Sequence, residues 1–168
     1  TVMSKIKVGI SIGDLNGIGL EVIIKTFKDN RMMDFCTPIV FGCAKVASVH
    51  RKAINIIDFS FNTIKNIKDI NQKRANLLSI FNDNLKIKFG EATTKSGEYS
   101  FKSLKMAVNA LKKKEIDVLV TAPINKASIK EKVTNFIGHT EFLQDNFIGQ
   151  SLMIMASESM KIAFVTGH

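Results

Sequence analysis

Three side chains in this 168-residue sequence combine a reactive type with a useful setting: His139, Thr140 and His168. His139 lies in Gly138-His139-Thr140-Glu141, after a glycine and ahead of a hydroxyl residue, where a helix is expected to start. A phosphate or carboxylate placed there would meet the threonine hydroxyl, unpaired backbone N–H groups and the imidazole. A plainer reading stands beside it, in which Thr140 caps the helix and His139 is merely exposed. His168 ends an apolar β-type run, and imidazole is the side chain most used to hold metals. One histidine makes no metal site, and no cluster of His, Cys and carboxylates elsewhere supplies partners at a recognisable spacing. Lys126 lies just past the strand-like Val118-Leu119-Val120-Thr121 and can reach an anion at the same sheet edge.

A second stretch invites a chemical reading. Gly13-Asp14-Leu15-Asn16-Gly17 follows a strand pattern and precedes a helical one. A strand, a glycine loop and a helix start can hold an anion on backbone N–H groups. The spacing of Gly13, Gly17 and Gly19 nevertheless meets neither the dinucleotide fingerprint nor the phosphate loop that ends in Lys-Ser/Thr. Asp14 can hold a ligand, cap the helix or favour the turn, and spacing alone favours a structural role.

These groups need a frame. Residues 5–12 alternate and then turn small and apolar, a first strand, and residues 18–27 carry helical periodicity. A short helical piece over 29–35, a strand over 38–42 and a helix over 44–53 follow. His50, beside Arg51 and Lys52, reads as part of a solvated helix face. A third strand is expected over 55–59, a helix over 72–81, with 64–70 an edge strand or loop, and an alternating strand at Leu85-Lys86-Ile87-Lys88-Phe89. Ser96 is the expected cap of a helix over 98–113, and residues 117–120 the next, buried, strand. A short helix within 135–148 and two strands over 151–156 and 161–166 complete the pattern. Alternating strands and helices define an α/β class with a parallel sheet between helical layers.

Composition narrows the partners. With 45% apolar and 23% charged residues the chain is globular, and no run approaches the roughly 18 apolar residues of a membrane helix. Residues 1–5 lead straight into a strand pattern without a secretory h-region, so a cytoplasmic location is expected. Cys36 and Cys43 fit neither a redox pair nor a zinc spacing and read as reduced, buried thiols. The net charge of +9 is spread over nearly every segment, and its densest run, Lys112-Lys113-Lys114, falls at a helix end, where cations complement the dipole. One Tyr and no Trp leave no aromatic-interleaved basic stripe, so neither nucleic acid nor membrane is expected as a partner.

Three blocks then change the reading. They are Gly13-Asp14-Leu15-Asn16-Gly17-Ile18-Gly19-Leu20-Glu21, Val120-Thr121-Ala122-Pro123-Ile124-Asn125-Lys126 and Gly138-His139-Thr140-Glu141-Phe142, followed by Phe164-Val165-Thr166-Gly167-His168. In order and separation they resemble the 4-hydroxythreonine-4-phosphate dehydrogenase family of pyridoxal phosphate (vitamin B6) biosynthesis. Leu15 and Leu20 depart from it, standing where the family has prolines. The resemblance implies a three-layer α/β/α fold like the isocitrate and isopropylmalate dehydrogenases, with two lobes around a cleft and a homodimeric assembly. It implies an oxidoreductase that uses NAD or NADP to oxidise a small phosphorylated substrate, whose β-keto acid then loses carbon dioxide. A divalent metal (zinc, magnesium or cobalt) held by histidines would assist.

By position, His139 and Thr140 match the family's substrate contacts and His168 its first metal histidine; no catalytic or cofactor-binding residue is assigned. Family chains are about twice as long, in line with two ordinary domain lengths. Residues 1–168 are therefore expected to be an N-terminal part of a truncated two-lobed enzyme: most of the first lobe and the start of the second, without an independent linker. Two alternatives remain open. One is a paralogue acting on threonate or erythronate phosphate, the other a non-catalytic basic module that binds phosphoesters or nucleic acid.

Overall fold

Leu77 and Leu78 are neighbours in sequence and both are buried. Successive side chains of a strand point to opposite faces, so burying both demands cover on each side of the sheet. The computed structural model, which describes residues 5–165, supplies that cover. The chain falls into two compact units, residues 1–136 and 137–168.

The first unit runs β1 (Ile6–Ser11), α1 (Gly19–Phe27), α2 (Met32–Phe35), β2 (Cys36–Gly42), α3 (Ala44–Ala53), β3 (Asn62–Ile64), a 3-10 turn (Ile67–Asp69), β4 (Asn76–Ser79), α4 (Thr94–Lys112), β5 (Val118–Thr121) and α5 (Lys126–Lys130). Its five strands lie in the order β3-β4-β2-β1-β5, and every pairing is parallel. On one face Ile10, Val40 and Leu77 pack with Leu20, Ile23 and Ile24 of α1 and Val46 and Ala47 of α3. On the other, Ile39, Phe41, Ile64 and Leu78 meet Ala107 and Ala110 of α4. Each fully buried Leu, Ile or Phe contributes about 1.5–3 kcal/mol over its exposed state. Small residues let α4 come close enough for hydrogen bonding. The Ser103 hydroxyl accepts from the Ile12 amide (3.0 Å) and donates to the Phe41 carbonyl (2.6 Å), bridging β1 and β2 where their ladder ends.

Several sequence expectations yield to tertiary context. The 72–81 stretch contains strand β4 rather than a helix, because only a central strand can bury Leu77 and Leu78 on opposite sides. Residues 55–59 form no strand: Asn55 takes the left-handed conformation (φ 55°) past the end of α3, and Ile57 is exposed. The third strand comes later, at Asn62–Ile64. Helix α4 starts earlier than expected, with Thr93 as its cap. Thr93 Oγ1 accepts from the Ser96 amide (3.1 Å), and Ser96 is the reciprocal partner in the capping box. Strand β5 lies at the sheet edge, and Val118 and Val120 are exposed, so that strand is not buried as expected. The apolar cluster under α1 and α3 takes in its neighbour β1 but neither Val118 nor Val120. Cys43 is buried and Cys36 half-buried, both as free thiols.

The second unit holds α6 (His139–Asn146) and an antiparallel hairpin of β6 (Met153–Ala156) and β7 (Lys161–Phe164). The hairpin turn closes through Ser157 N–H to Met160 O (2.7 Å) and Met160 N–H to Ser157 Oγ (3.1 Å). All eight strand residues are exposed, so the hairpin has no apolar core of its own. Among the described residues no helix is long and apolar enough to cross a membrane.

The edge of the first sheet depends on Asn76, which is wholly buried. Its Nδ2 donates to the carbonyls of Pro38 (3.2 Å), Asn71 (2.9 Å) and Arg74 (3.0 Å), while its Oδ1 accepts from Asn62 Nδ2 (2.9 Å) and the Asn71 amide (2.8 Å). Asn76→Ala strands these buried groups and should cost about 2–4 kcal/mol in denaturant titration. A loss below about 0.5 kcal/mol would show that the network contributes little to stability.

Candidate functional site

In an open parallel sheet ligands bind beyond the carboxyl ends of the strands, where neighbouring connections diverge to opposite faces. Here β1 leads into α1 on one face, while β5 leads into α5, which approaches α4 on the other: a Cβ at Gly97 would lie 2.1 Å from the Ser128 carbonyl oxygen. The two connections are tied together at their start. Asp14 N–H donates to the Pro123 carbonyl (2.9 Å), and the Ala122 amide donates to Ser11 O (3.2 Å). Gly13 has φ +70°, and a Cβ there would sit 2.2 Å from Pro123 O, so only glycine fits. A Cβ at Gly19 would sit 2.3 Å from Ile12 O, which explains why α1 begins on a glycine.

The glycine block is therefore a clamp. The amides of Asp14, Asn16 and Gly17 all donate within the protein, to Pro123 O, Asp14 Oδ1 (3.0 Å) and Asp14 O (3.1 Å). Asp14 favours the turn and does not cap α1, whose N-cap Ile18 makes no side-chain hydrogen bond. An anion cradle made of these three N–H groups is excluded.

Two residues without an assigned role in the sequence reading hold the next loop. Asn16, 4% exposed, donates from Nδ2 to Glu91 O (2.9 Å) and Thr93 Oγ1 (3.2 Å) and accepts the Lys88 amide on Oδ1 (3.0 Å). Its carbonyl accepts from Gly90 N–H (2.9 Å). The alternating 85–89 segment joins no strand and ends in a turn at Phe89, and Asn16 takes up backbone groups that a ladder would otherwise satisfy. His50 is 2% exposed, not solvated as expected. Its Nε2–H donates to Leu15 O (2.8 Å), and its ring meets Phe89 edge-on at 5.0 Å. The inward face of α3 carries Val46, Ala47 and His50, one helical turn apart, and the carbonyl partner makes a neutral imidazole tolerable there. Burial holds its pKa below 6.5, while the hydrogen bond to Leu15 pulls the other way.

Lys126 is exposed at the start of α5, whose cap is Asn125, accepting from the Ser128 amide on Oδ1 (3.0 Å). In the second unit, His139 and Thr140 are the first two residues of α6. Gly138 occupies the N-cap and no side chain caps the helix, so Thr140 is not the cap. His139 is half-buried and Thr140 exposed, side by side on the first turn. Gln144 steadies the segment after α6, donating from Nε2 to Gly149 O (2.7 Å) and accepting the Ser151 amide. His168 lies outside the described residues. Among the described residues no group of three or more His, Cys, Asp and Glu could hold a metal ion, so these residues alone do not fit a divalent cation.

The parallel sheet between helical layers, with its connections meeting at the carboxyl edge, defines an open α/β fold of the ligand-binding kind. The chain belongs to the family described as pyridoxal phosphate biosynthetic protein PdxA, whose family model matches residues 34–168. A 4-hydroxythreonine-4-phosphate dehydrogenase of Bacteroides thetaiotaomicron is 36% identical over 167 residues, covering 98% of this chain and 46% of that protein. A Fusobacterium nucleatum protein, provisionally named D-threonate 4-phosphate dehydrogenase, is 30% identical over 166 residues, 96% of this chain and 50% of its own. The solved structure of a 4-hydroxythreonine-4-phosphate dehydrogenase from Burkholderia phymatum matches with a TM-score of 0.85 at 24% identity, over 97% of this chain and 50% of that one. That of its namesake from Klebsiella pneumoniae matches at 0.78 and 23%, over 95% and 50%. These structural likenesses establish the shared fold. The chain spans about half the length of the curated relatives it matches.

The buried imidazole makes stability depend on pH. Below 6.5 the unfolded chain takes up a proton that folded His50 resists, so its stabilising contribution is full above 6.5 and declines as pH falls from there. His50→Gln, whose amide can still donate to Leu15 O but cannot titrate, should lose less stability between pH ~7.5 and ~5.5 than the parent chain. Equal losses in denaturant titrations would remove His50 as the cause.

Proposed function

We propose that this chain is part of an NAD- or NADP-dependent, divalent-metal-dependent dehydrogenase that oxidises and decarboxylates 4-phosphohydroxy-L-threonine to 3-amino-2-oxopropyl phosphate, in pyridoxal phosphate biosynthesis. The observation that carries this is the 36% identity to a 4-hydroxythreonine-4-phosphate dehydrogenase along 98% of the chain. The reading has the full-length protein as a cytoplasmic homodimer of two-lobed subunits, to which residues 1–168 contribute most of one lobe and the start of the other.

In this reading the first turn of α6 holds the substrate. Thr140 offers an exposed hydroxyl that is not spent on capping, and the turn's N–H groups carry partial positive charge suited to an anionic end. His139 adds an imidazole beside it and fixes the substrate's orientation. His168 is assigned as one metal ligand, with the remaining positions filled from outside the described residues. When bound, the cation would supply Lewis acidity at the oxygen being oxidised, and the dinucleotide a hydride acceptor.

The 30% identity to a protein provisionally named D-threonate 4-phosphate dehydrogenase favours a second substrate. The two compounds share the phosphate and the hydroxyl to be oxidised and differ at the neighbouring carbon, an amine in one and a hydroxyl in the other. Turnover of both by the full-length protein separates them: reduced nicotinamide should form faster with hydroxythreonine phosphate. Turnover of threonate phosphate alone would move the assignment to the second substrate. Within that assay, His139→Ala should weaken substrate binding on the order of tenfold, about 1.4 kcal/mol. His168→Ala should weaken metal binding and collapse turnover. Unchanged substrate affinity and rate for the first variant, or unchanged metal affinity for the second, would remove that residue from the site.

A further inference from the structure

A pocket of about 420 Å³ opens between the loop after β1, the irregular 84–93 segment and the start of α4. All three lie at the carboxyl edge of the sheet. That volume suits a phosphate ester better than a bare ion, since small-molecule sites start near 300 Å³. Lys86, Lys88 and Lys95 line it together with Asn84 and Thr94, and none of its lining residues is acidic. Lys88 pairs with Glu91 (3.0 Å), whereas Lys86 and Lys95 appear in none of the ion pairs among the described residues. At the rim a fourth cation, Lys45, donates to Asn84 Oδ1 (3.5 Å). The Thr94 hydroxyl donates to Glu131 and the Ser96 amide to Thr93 Oγ1, so neither of these groups is offered to the ligand.

Lysines scattered on a surface are ordinary; here the floor beneath them is built. The 84–93 segment has no ladder, yet it is fixed at several points. Asn16 binds the Lys88 amide and the Glu91 carbonyl, Phe89 rests against buried His50, and Tyr99 donates to Asp83 (2.6 Å) just ahead of the segment. The segment is thus anchored on both sides of Lys86, and Lys95 stands on α4, so binding has mainly the lysine side chains to order. We propose that this pocket binds a phosphate-bearing ligand through Lys86 and Lys95. The shared chemistry is a phosphoryl dianion, carried either by a phosphorylated substrate or by a dinucleotide.

The site itself can be tested without any assumption about turnover. Inorganic phosphate and pyrophosphate, titrated calorimetrically into the full-length protein, should bind at a site that His139→Ala leaves intact. The double variant Lys86→Gln/Lys95→Gln should weaken that binding on the order of tenfold or more. Lys→Arg at both positions should retain most of it, and Lys112→Gln/Lys113→Gln, at the far end of α4, should leave it unchanged. These lysine side chains are exposed, so folding should be unaffected. No binding by the parent protein, no weakening in the Gln variant, or the same weakening in the Lys112/Lys113 control would overturn the proposal. The source is then read from the same Gln variant. A raised KM for substrate with unchanged dinucleotide affinity assigns the pocket to the substrate phosphate, and the reverse assigns it to the dinucleotide.

Discussion

The 2.9 Å hydrogen bond from the Asp14 amide to the Pro123 carbonyl is the constraint on which the carboxyl edge of the sheet depends. It joins the connections that follow β1 and β5, at the point where an open α/β fold would otherwise leave a crevice. Gly13 must be glycine for that approach, because a Cβ would strike the same carbonyl. Once the turn is clamped, Leu15 presents its carbonyl to His50, and Asn16 reaches across to the 88–93 segment and the cap of α4. Small residues along α4 then let Ser103 stitch β1 to β2. A short stretch of chain thus sets the position of two helices and two loops.

This changes what the glycine block means for function. Its place between a strand and a helix invites an anion, but its amides are engaged within the protein, so its part is to hold the edge in shape. The residues proposed for binding lie elsewhere, at the first turn of α6 and among the lysines above the floor that Asn16 fixes.

Much of the fold was legible in the residues themselves. The alternation in β1, the i, i+4 spacing in α1 and α3 and the turn at Gly13–Gly17 were all local signals, and local signals survive folding when the neighbours agree. Where they failed at 72–81, 85–89 and 117–120, the cause lay in partners distant in sequence. Leu77 and Leu78 became strand because both sheet faces were covered. The 85–89 segment looked like a strand but found a single asparagine instead of a neighbour, and Val118 and Val120 looked buried but lie outside the apolar cluster under α1 and α3. His50 was placed in solvent by its charged neighbours in sequence, although its spacing from Val46 carried the opposite signal. Of the candidate site, His139 and Thr140 were legible as a pair at a helix start. The structural importance of Asn16 was not, since nothing local distinguishes a buried hub from an ordinary turn asparagine.

The clamp is open to direct measurement. Amide hydrogen exchange of Asp14, followed in the ligand-free protein, reports whether its N–H is engaged or faces water. The structure predicts protection comparable to that of Ile10 in β1. Exchange as fast as in exposed loop amides such as that of Gly149 would show an open glycine loop, and would return the block to the anion-binding role that its engaged amides exclude.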